Sequence, residues 1–144
     1  MRRAAPFLGY LLVQGFIIVG LTTPRFPDSP SYTDLSLTGH RLPTVPLIYS
    51  AFPSDSLKSL AQVVLAAVCW WILAGVASGM VENRAVRIGL RTVLLALGVV
   101  APIASWNSTI LSESIAISLT ALLIAVWLRT RIGHAARRRP LLSR

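Results

Sequence analysis

Four strongly apolar stretches divide this chain and predict four membrane-spanning helices. A helix needs about 20 apolar residues to cross the hydrocarbon core of a bilayer, and the stretches place spans at about 7–22, 60–81, 88–105 and 110–128. A backbone in lipid must satisfy its own hydrogen bonds, and no stretch alternates as barrel strands do, so all four spans are expected to be helical. The predicted fold class is therefore an all-α membrane protein with four transmembrane helices.

A long polar segment, residues 24–58, separates the first two stretches and carries three of the five acidic residues. Long ordered loops tend to be functional, so chemistry is expected here. Within the segment, residues 42–49 contain two prolines and are predicted to be extended. Either Ser54 or Asp55 is expected to cap the start of the second span.

Composition supports a membrane protein and limits the possible chemistry. Hydrophobic residues make up 54% of the 144 residues and charged residues only 13%, which is too apolar for a soluble domain of this size. The single cysteine, Cys69, lies inside an apolar run. It excludes an intrachain disulfide and a cysteine-based metal site.

The basic residues predict the orientation of the chain in the membrane. Eleven of the fourteen fall on one side of the four predicted spans: Arg2, Arg3, Arg84, Arg87, Arg91, Arg129, Arg131, Arg137, Arg138, Arg139 and Arg144. The positive-inside rule assigns that side to the cytoplasm. Both termini are then cytoplasmic, residues 24–58 form a first extracytoplasmic loop, and residues 130–144 form a basic cytoplasmic tail. The arginine-rich tail is expected to contact anionic lipid headgroups rather than nucleic acid.

Two remaining features of the sequence bear on the membrane topology. Two arginines before a short apolar run resemble a secretory signal, but no small-x-small cleavage site follows, so the first helix is expected to be retained. Arg91 lies near the start of the third span, where its long side chain is expected to snorkel to the interface.

Candidate chemistry concentrates in the loop and at the start of the fourth span. Asp28, Asp34, His40 and Arg41 lie in the loop, and Glu113 begins a span that is otherwise free of charge. Carboxylates beside an Arg and a His at a membrane surface suit activation of an acceptor hydroxyl, or a divalent cation held against a phosphate leaving group. The irregular spacing is a weak metal signature, so the metal stays open. Glu113 is either functional or a first-turn residue favoured by the helix dipole.

Three short motifs resemble one enzyme family. They are Asp28-Ser29-Pro30-Ser31-Tyr32, Gly39-His40-Arg41-Leu42-Pro43 and Leu111-Ser112-Glu113-Ser114. With the order of loop and spans, they resemble the N-terminal part of GT-C-type glycosyltransferases, multi-spanning enzymes that use polyprenyl-phosphate-linked sugars. The resemblance implies that Asp28 acts as base or metal contact with Tyr32 packed beside it, and that Glu113 is a recurrent second acidic site. Tyr32, Asp34, His40 and Arg41 are then the expected substrate-binding residues.

The chain departs from this family in having far fewer spans. We therefore expect a truncated or partial transferase of the bacterial plasma membrane, with a partner membrane protein supplying the missing helices. The alternative is a non-catalytic scaffold or subunit of a membrane complex. Such a subunit needs small-residue helix faces, and the second span offers Gly75, Ala77, Ser78 and Gly79. A transporter or channel subunit is disfavoured because the spans hold few polar residues beyond Gln14 and Gln62.

Overall fold

The computed structural model describes residues 5–18, 44–107, 109 and 112–138, and these residues form helices joined by turns. The helices are α1 (Ala5–Ile18), α2 (Thr44–Ser50), α3 (Asp55–Gly79), α4 (Arg84–Leu97), α5 (Ala101–Asn107) and α6 (Ser112–Arg138). The all-α prediction is confirmed for this part of the chain. Within it, two segments are long and apolar enough to cross a membrane: α3, and residues Ser112–Arg131 of α6.

Helix α3 begins at a side-chain cap. Ser54 is extended, with φ −134° and ψ 154°, and its Oγ accepts a hydrogen bond from the Leu57 N–H at 3.3 Å. This satisfies one of the free N–H groups of the first turn, so the predicted cap is confirmed at Ser54. The 25 residues of α3 rise about 38 Å. The helix therefore exceeds the roughly 30 Å hydrocarbon core.

The third apolar stretch forms two helices rather than one. Helix α4 ends at Leu97, a turn follows over residues 98–100, and α5 begins at Ala101. Pro102 has no N–H, so it cannot donate to the Gly98 carbonyl as a continuous helix would require. The proline thus accounts for an interruption within the predicted 88–105 span.

The segment before α3 is helical where the sequence pattern predicted extended chain. Residues Thr44–Ser50 form α2, with Pro46 as the third residue of the helix. N–H groups in the first turn have no helical acceptor, so a proline there removes no backbone bond. The prediction of extended structure is therefore wrong for residues 44–49.

Helices α3 and α6 form the most extensive interface of the bundle. Leu65 packs near Ile115 in one cluster, and Leu73 packs with Ala121 and Ala125 in another. Residue numbers rise together along both helices, so the two run parallel. Small residues at this interface allow the backbones to approach closely; the buried ones in the shared cluster are Ala66, Ala121 and Ala125.

The parallel packing defines two ends of the bundle. The α2 end holds α2, the start of α3, the end of α5 and the start of α6. The opposite end, called the arginine end here, holds the end of α3, the start of α4 and residues 129–131 of α6. Exposed Arg84, Arg87, Arg129 and Arg131 all lie at this second end. The described arginines of the α3–α4 turn and of α6 therefore share one end of the molecule.

Candidate functional site at the α2 end

A buried glutamine joins three segments at the α2 end. Gln62 of α3 is only 2% exposed. Its Nε2 donates to the Tyr49 hydroxyl of α2 and to the Thr109 carbonyl between α5 and α6, at 3.2 Å. A buried amide is costly unless it is hydrogen-bonded, so these bonds explain how a glutamine is tolerated in an apolar helix. Gln62 thereby fixes α2 and the α5–α6 connection to α3.

A second buried hydrogen bond closes the same region. Ser114 Oγ of α6 donates to Asn107 Oδ1 of α5 at 2.7 Å, and both side chains are buried. Thr109, also buried, donates through its Oγ1 to the Ser105 carbonyl at 3.1 Å. These groups tie the end of α5 to the start of α6. We call Tyr49, Gln62, Asn107, Thr109 and Ser114 the polar cluster.

Glu113 lies next to the polar cluster in sequence. It stands in the first turn of α6 and is half-buried, with Ser112 Oγ at 3.5 Å from its Oε2. The neighbouring Ser114 belongs to the polar cluster, so the turn that carries Glu113 is anchored at the α2 end. A carboxylate in the first turn also interacts favourably with the helix dipole. Both the functional and the structural interpretation of Glu113 are compatible with this position.

The other predicted site residues, Asp28, Tyr32, Asp34, His40 and Arg41, lie outside the described residues. Among the residues that the structure does describe, no group of three His, Cys, Asp or Glu side chains is placed to hold a metal ion. A different acidic residue, Asp55, pairs with Lys58 at 3.0 Å one turn along α3. This pair stabilises the start of the helix and has no evident chemical role.

A second polar contact lies deeper in the bundle, where α1 meets the end of α4. Gln14, 3% exposed, donates to the Tyr10 hydroxyl at 2.7 Å and to the Gly98 carbonyl at 3.5 Å. This is the carbonyl that Pro102 cannot bond. Trp70 packs against the same glycine. The break between α4 and α5 thus provides an acceptor that fixes α1 to the bundle.

The polar cluster consists of amides and hydroxyls, which determines what it can do. It contains no carboxylate, imidazole or thiol, so its hydroxyls have no base within the cluster to activate them. Its chemistry is hydrogen bonding, and within the described part of the chain Gln62 Oε1 accepts no hydrogen bond. The arrangement can position backbone and neighbouring side chains at the α2 end.

Sequence reasoning identified Gln62 as a polar residue in an apolar run but gave it no partner. It assigned no role to Tyr49 and Ser114. The available signal was the presence of hydrogen-bonding side chains within strongly apolar helices, since such side chains usually pair across helices. Asn107, which begins the sequon-like triplet 107–109, is 3% exposed and bonded to Ser114. A buried Asn107 side chain is not accessible to a glycosylating enzyme, so the triplet is unsuited to glycosylation.

Comparison of the chain with known protein families, with curated proteins and with solved structures gives no match. The fold and the polar cluster are therefore the structural basis for a functional proposal.

Proposed function

We propose that the chain is an integral membrane protein whose third span is formed by α4 and α5 together and whose first span contains α1. Support comes from the large apolar side chains that point away from the bundle. Leu12 is 72% exposed, Phe16 79% and Leu123 69%. Exposed apolar surface of this kind is unfavourable in water and is satisfied by lipid. In this proposal the arginine end is cytoplasmic and the α2 end is extracytoplasmic.

The topology is tested by labelling single cysteines in intact cells with a membrane-impermeant maleimide. In a Cys69→Ser background, Ser56→Cys at the α2 end is expected to react from outside. Glu82→Cys at the arginine end is expected to react only after the membrane is permeabilised. The reverse pattern would overturn the orientation, and equal reaction of both would overturn the membrane placement.

For this bundle we further propose the role of a partial GT-C-type glycosyltransferase, in which Asp28 is the base or metal contact and Glu113 is the second acidic residue. The polar cluster is the observation that supports this function. It fastens α2, which lies within the 24–58 segment, to the turn that begins with Ser112 and Glu113. A catalytic carboxylate must be held in a fixed position relative to its substrate. The motif resemblance supplies the donor class, a polyprenyl-phosphate sugar, and a partner membrane protein would complete the donor pocket.

Transfer is tested with the full chain in detergent and in membranes that contain its natural partners. Asp28→Asn and Glu113→Gln are expected to reduce transfer from polyprenyl-phosphate sugars by at least about 100-fold, the usual contribution of a positioned acid or base. Glu82→Gln, a carboxylate at the opposite end, serves as the matched control and is expected to have no effect. If Asp28→Asn and Glu113→Gln bind donor and transfer sugar like the unchanged protein, the transferase proposal fails.

A second candidate function is that of a non-catalytic scaffold or subunit. The observation that favours it is the outward face of α3, where Gly75 and Gly79 stand four residues apart and are exposed. A Cβ built on either glycine meets nothing within 4 Å. Paired glycines at this spacing allow a helix of another membrane protein to approach closely.

The scaffold function is tested by crosslinking in native membranes. Gly75→Leu with Gly79→Leu is expected to abolish the crosslinked partner bands. Gly9→Leu, at an open position of α1, is expected to retain them. Unchanged bands in the double variant would exclude this face as the partner contact.

A further inference from the structure

Helix α4 carries its charge on one face. Arg84, Arg87 and Arg91 are spaced three and four residues apart, which places them within an arc of about 60° on a helix. The opposite face is apolar, and there Val86 is 56% exposed and Val93 58% exposed. The helix therefore separates a basic face from a lipid-compatible face.

The basic face meets the bundle at Arg91. The Arg91 guanidinium lies 4.4 Å from the centre of the Trp71 ring of α3. Trp71 also receives Phe7 of α1 in an edge-on contact, with the ring centres 5.6 Å apart. Stacking on an indole orients a guanidinium and leaves its N–H donors free at the edges. Arg91 is thus held with its hydrogen-bonding groups available.

The three arginines have no carboxylate within ion-pair distance in the described part of the chain. The ion pair described there, Asp55 with Lys58, lies at the α2 end. Glu82, the acidic residue next to this face in sequence, is exposed on the α3–α4 turn. Positive charges near the membrane are stable when an anion or water compensates them. This face is consequently suited to an anion supplied from outside the chain.

We propose that Arg84, Arg87 and Arg91 bind the phosphate group of an anionic phospholipid in the leaflet at the arginine end. The arginines rise about 10 Å along α4, a distance comparable with the depth of a headgroup region. Arg84 and Arg87 are exposed near the start of α4. Arg91, held against Trp71, lies deepest of the three. Exposed Ile88 borders the arginines on α4 and provides apolar surface for the acyl chains. A phospholipid can contact both the arginines and the neighbouring apolar surface, whereas free phosphate can contact only the arginines.

The test compares two double variants that each remove two positive charges from the arginine end. Binding of phosphatidylglycerol to the full chain is measured in nanodiscs of phosphatidylcholine with increasing phosphatidylglycerol, and retained lipid is counted by native mass spectrometry. Arg87→Gln with Arg91→Gln is expected to weaken binding about 10-fold or more, because two of the three charges that attract the headgroup are removed. The control, Arg129→Gln with Arg131→Gln on α6, is expected to weaken it by a clearly smaller factor, because these two arginines lie outside the α4 face that holds Arg91 against Trp71.

The remaining outcomes show whether the bound phosphate group belongs to a lipid and whether it binds at the α4 arginines. Equal losses in both double variants would mean diffuse surface charge and would overturn the proposal, as would no loss in either. Inorganic phosphate is added as a competitor, and displacement of lipid at millimolar phosphate would overturn the choice of a lipid. Circular dichroism checks folding, and the single variant Arg87→Gln, at an exposed position, carries the test if the double variant unfolds. Since binding alone is measured, the result is independent of sugar transfer.

Discussion

A Cβ atom on Gly98 would lie 2.8 Å from Cγ of Trp70, so the backbone at the end of α4 approaches the indole as closely as a glycine allows. The same Cβ would meet the Tyr10 hydroxyl. We expect Gly98→Ala to destabilise the bundle by about 1–3 kcal/mol, the usual effect of forcing extra atoms into a packed site. Thermal unfolding in detergent, followed by circular dichroism, measures the change.

The control for this prediction is Gly89→Ala on the same helix. Gly89 is exposed, and a Cβ there meets nothing within 4 Å. Alanine favours helix over glycine, so the control should leave the unfolding temperature unchanged or raise it. Equal unfolding temperatures for the two variants would show that Gly98 has no special role in packing.

The hydrogen bond between Gln62 and Tyr49 is expected to hold α2 on the bundle. Gln62→Ala removes the donor and Tyr49→Phe removes the acceptor hydroxyl while keeping the ring. A double-mutant cycle is expected to give a coupling free energy of about 0.6 kcal/mol and at most about 1.7 kcal/mol, the average and the maximum found for hydrogen bonds between membrane helices. Chemical denaturation in detergent supplies the four free energies. A coupling indistinguishable from zero would mean that this bond contributes nothing to stability.

The α3–α6 seam is expected to tolerate only small residues. Ala125 is 1% exposed and packs with Trp70 and Leu73. Ala125→Leu should therefore separate the two helices and reduce the unfolding free energy by about 1–3 kcal/mol. The same substitution at exposed Ala96 of α4 is the matched control and should have little effect. Similar unfolding free energies for both variants would contradict the proposed close approach of the helices.

Asn83 is expected to determine where α4 begins. Its Oδ1 accepts hydrogen bonds from the Ala85 N–H at 2.9 Å and the Val86 N–H at 3.2 Å. Asn83→Ala should cost about 1 kcal/mol, whereas Asn83→Ser or Asn83→Asp should retain most of the stability, because both replacements can cap. Amide exchange in the first turn of α4 reports the effect locally. Unchanged exchange in the alanine variant would show that the cap is dispensable.

The sequence correctly predicted those helices whose formation depends on a single physical rule. Run length and apolarity are sufficient for α3 and α6, and the cap at Ser54 follows from side-chain chemistry. The predicted second span began at residue 60, while α3 begins at Asp55. The difference arises because the first turn is polar and the apolar pattern does not include it.

The break between α4 and α5 and the helix α2 depend on how prolines act in context. Pro102 interrupts an apolar run, whereas Pro46 lies in a first turn that needs no N–H there. A hydropathy pattern does not distinguish these two cases. The partners of Gln62 and Ser114 are likewise set by how helices distant in sequence pack together. Of the predicted site residues, Glu113 is described at the α2 end, and its catalytic role, like that of Asp28, stays a prediction.

The parallel arrangement of α3 and α6 has a consequence for biosynthesis. Ribosomes deliver the chain from its N-terminus, so in the proposed membrane placement α3 reaches the membrane before Thr109 and α6 have left the ribosome. During that interval Gln62 lacks the Thr109 carbonyl, and the small-residue surface of α3 has no α6 to meet. Insertion of α3 must therefore rely on the apolar character of its other residues. In the proposed membrane placement, the α3–α6 interface forms only after α6 has reached the membrane, so α6 completes the packing of the described helices around Gln62.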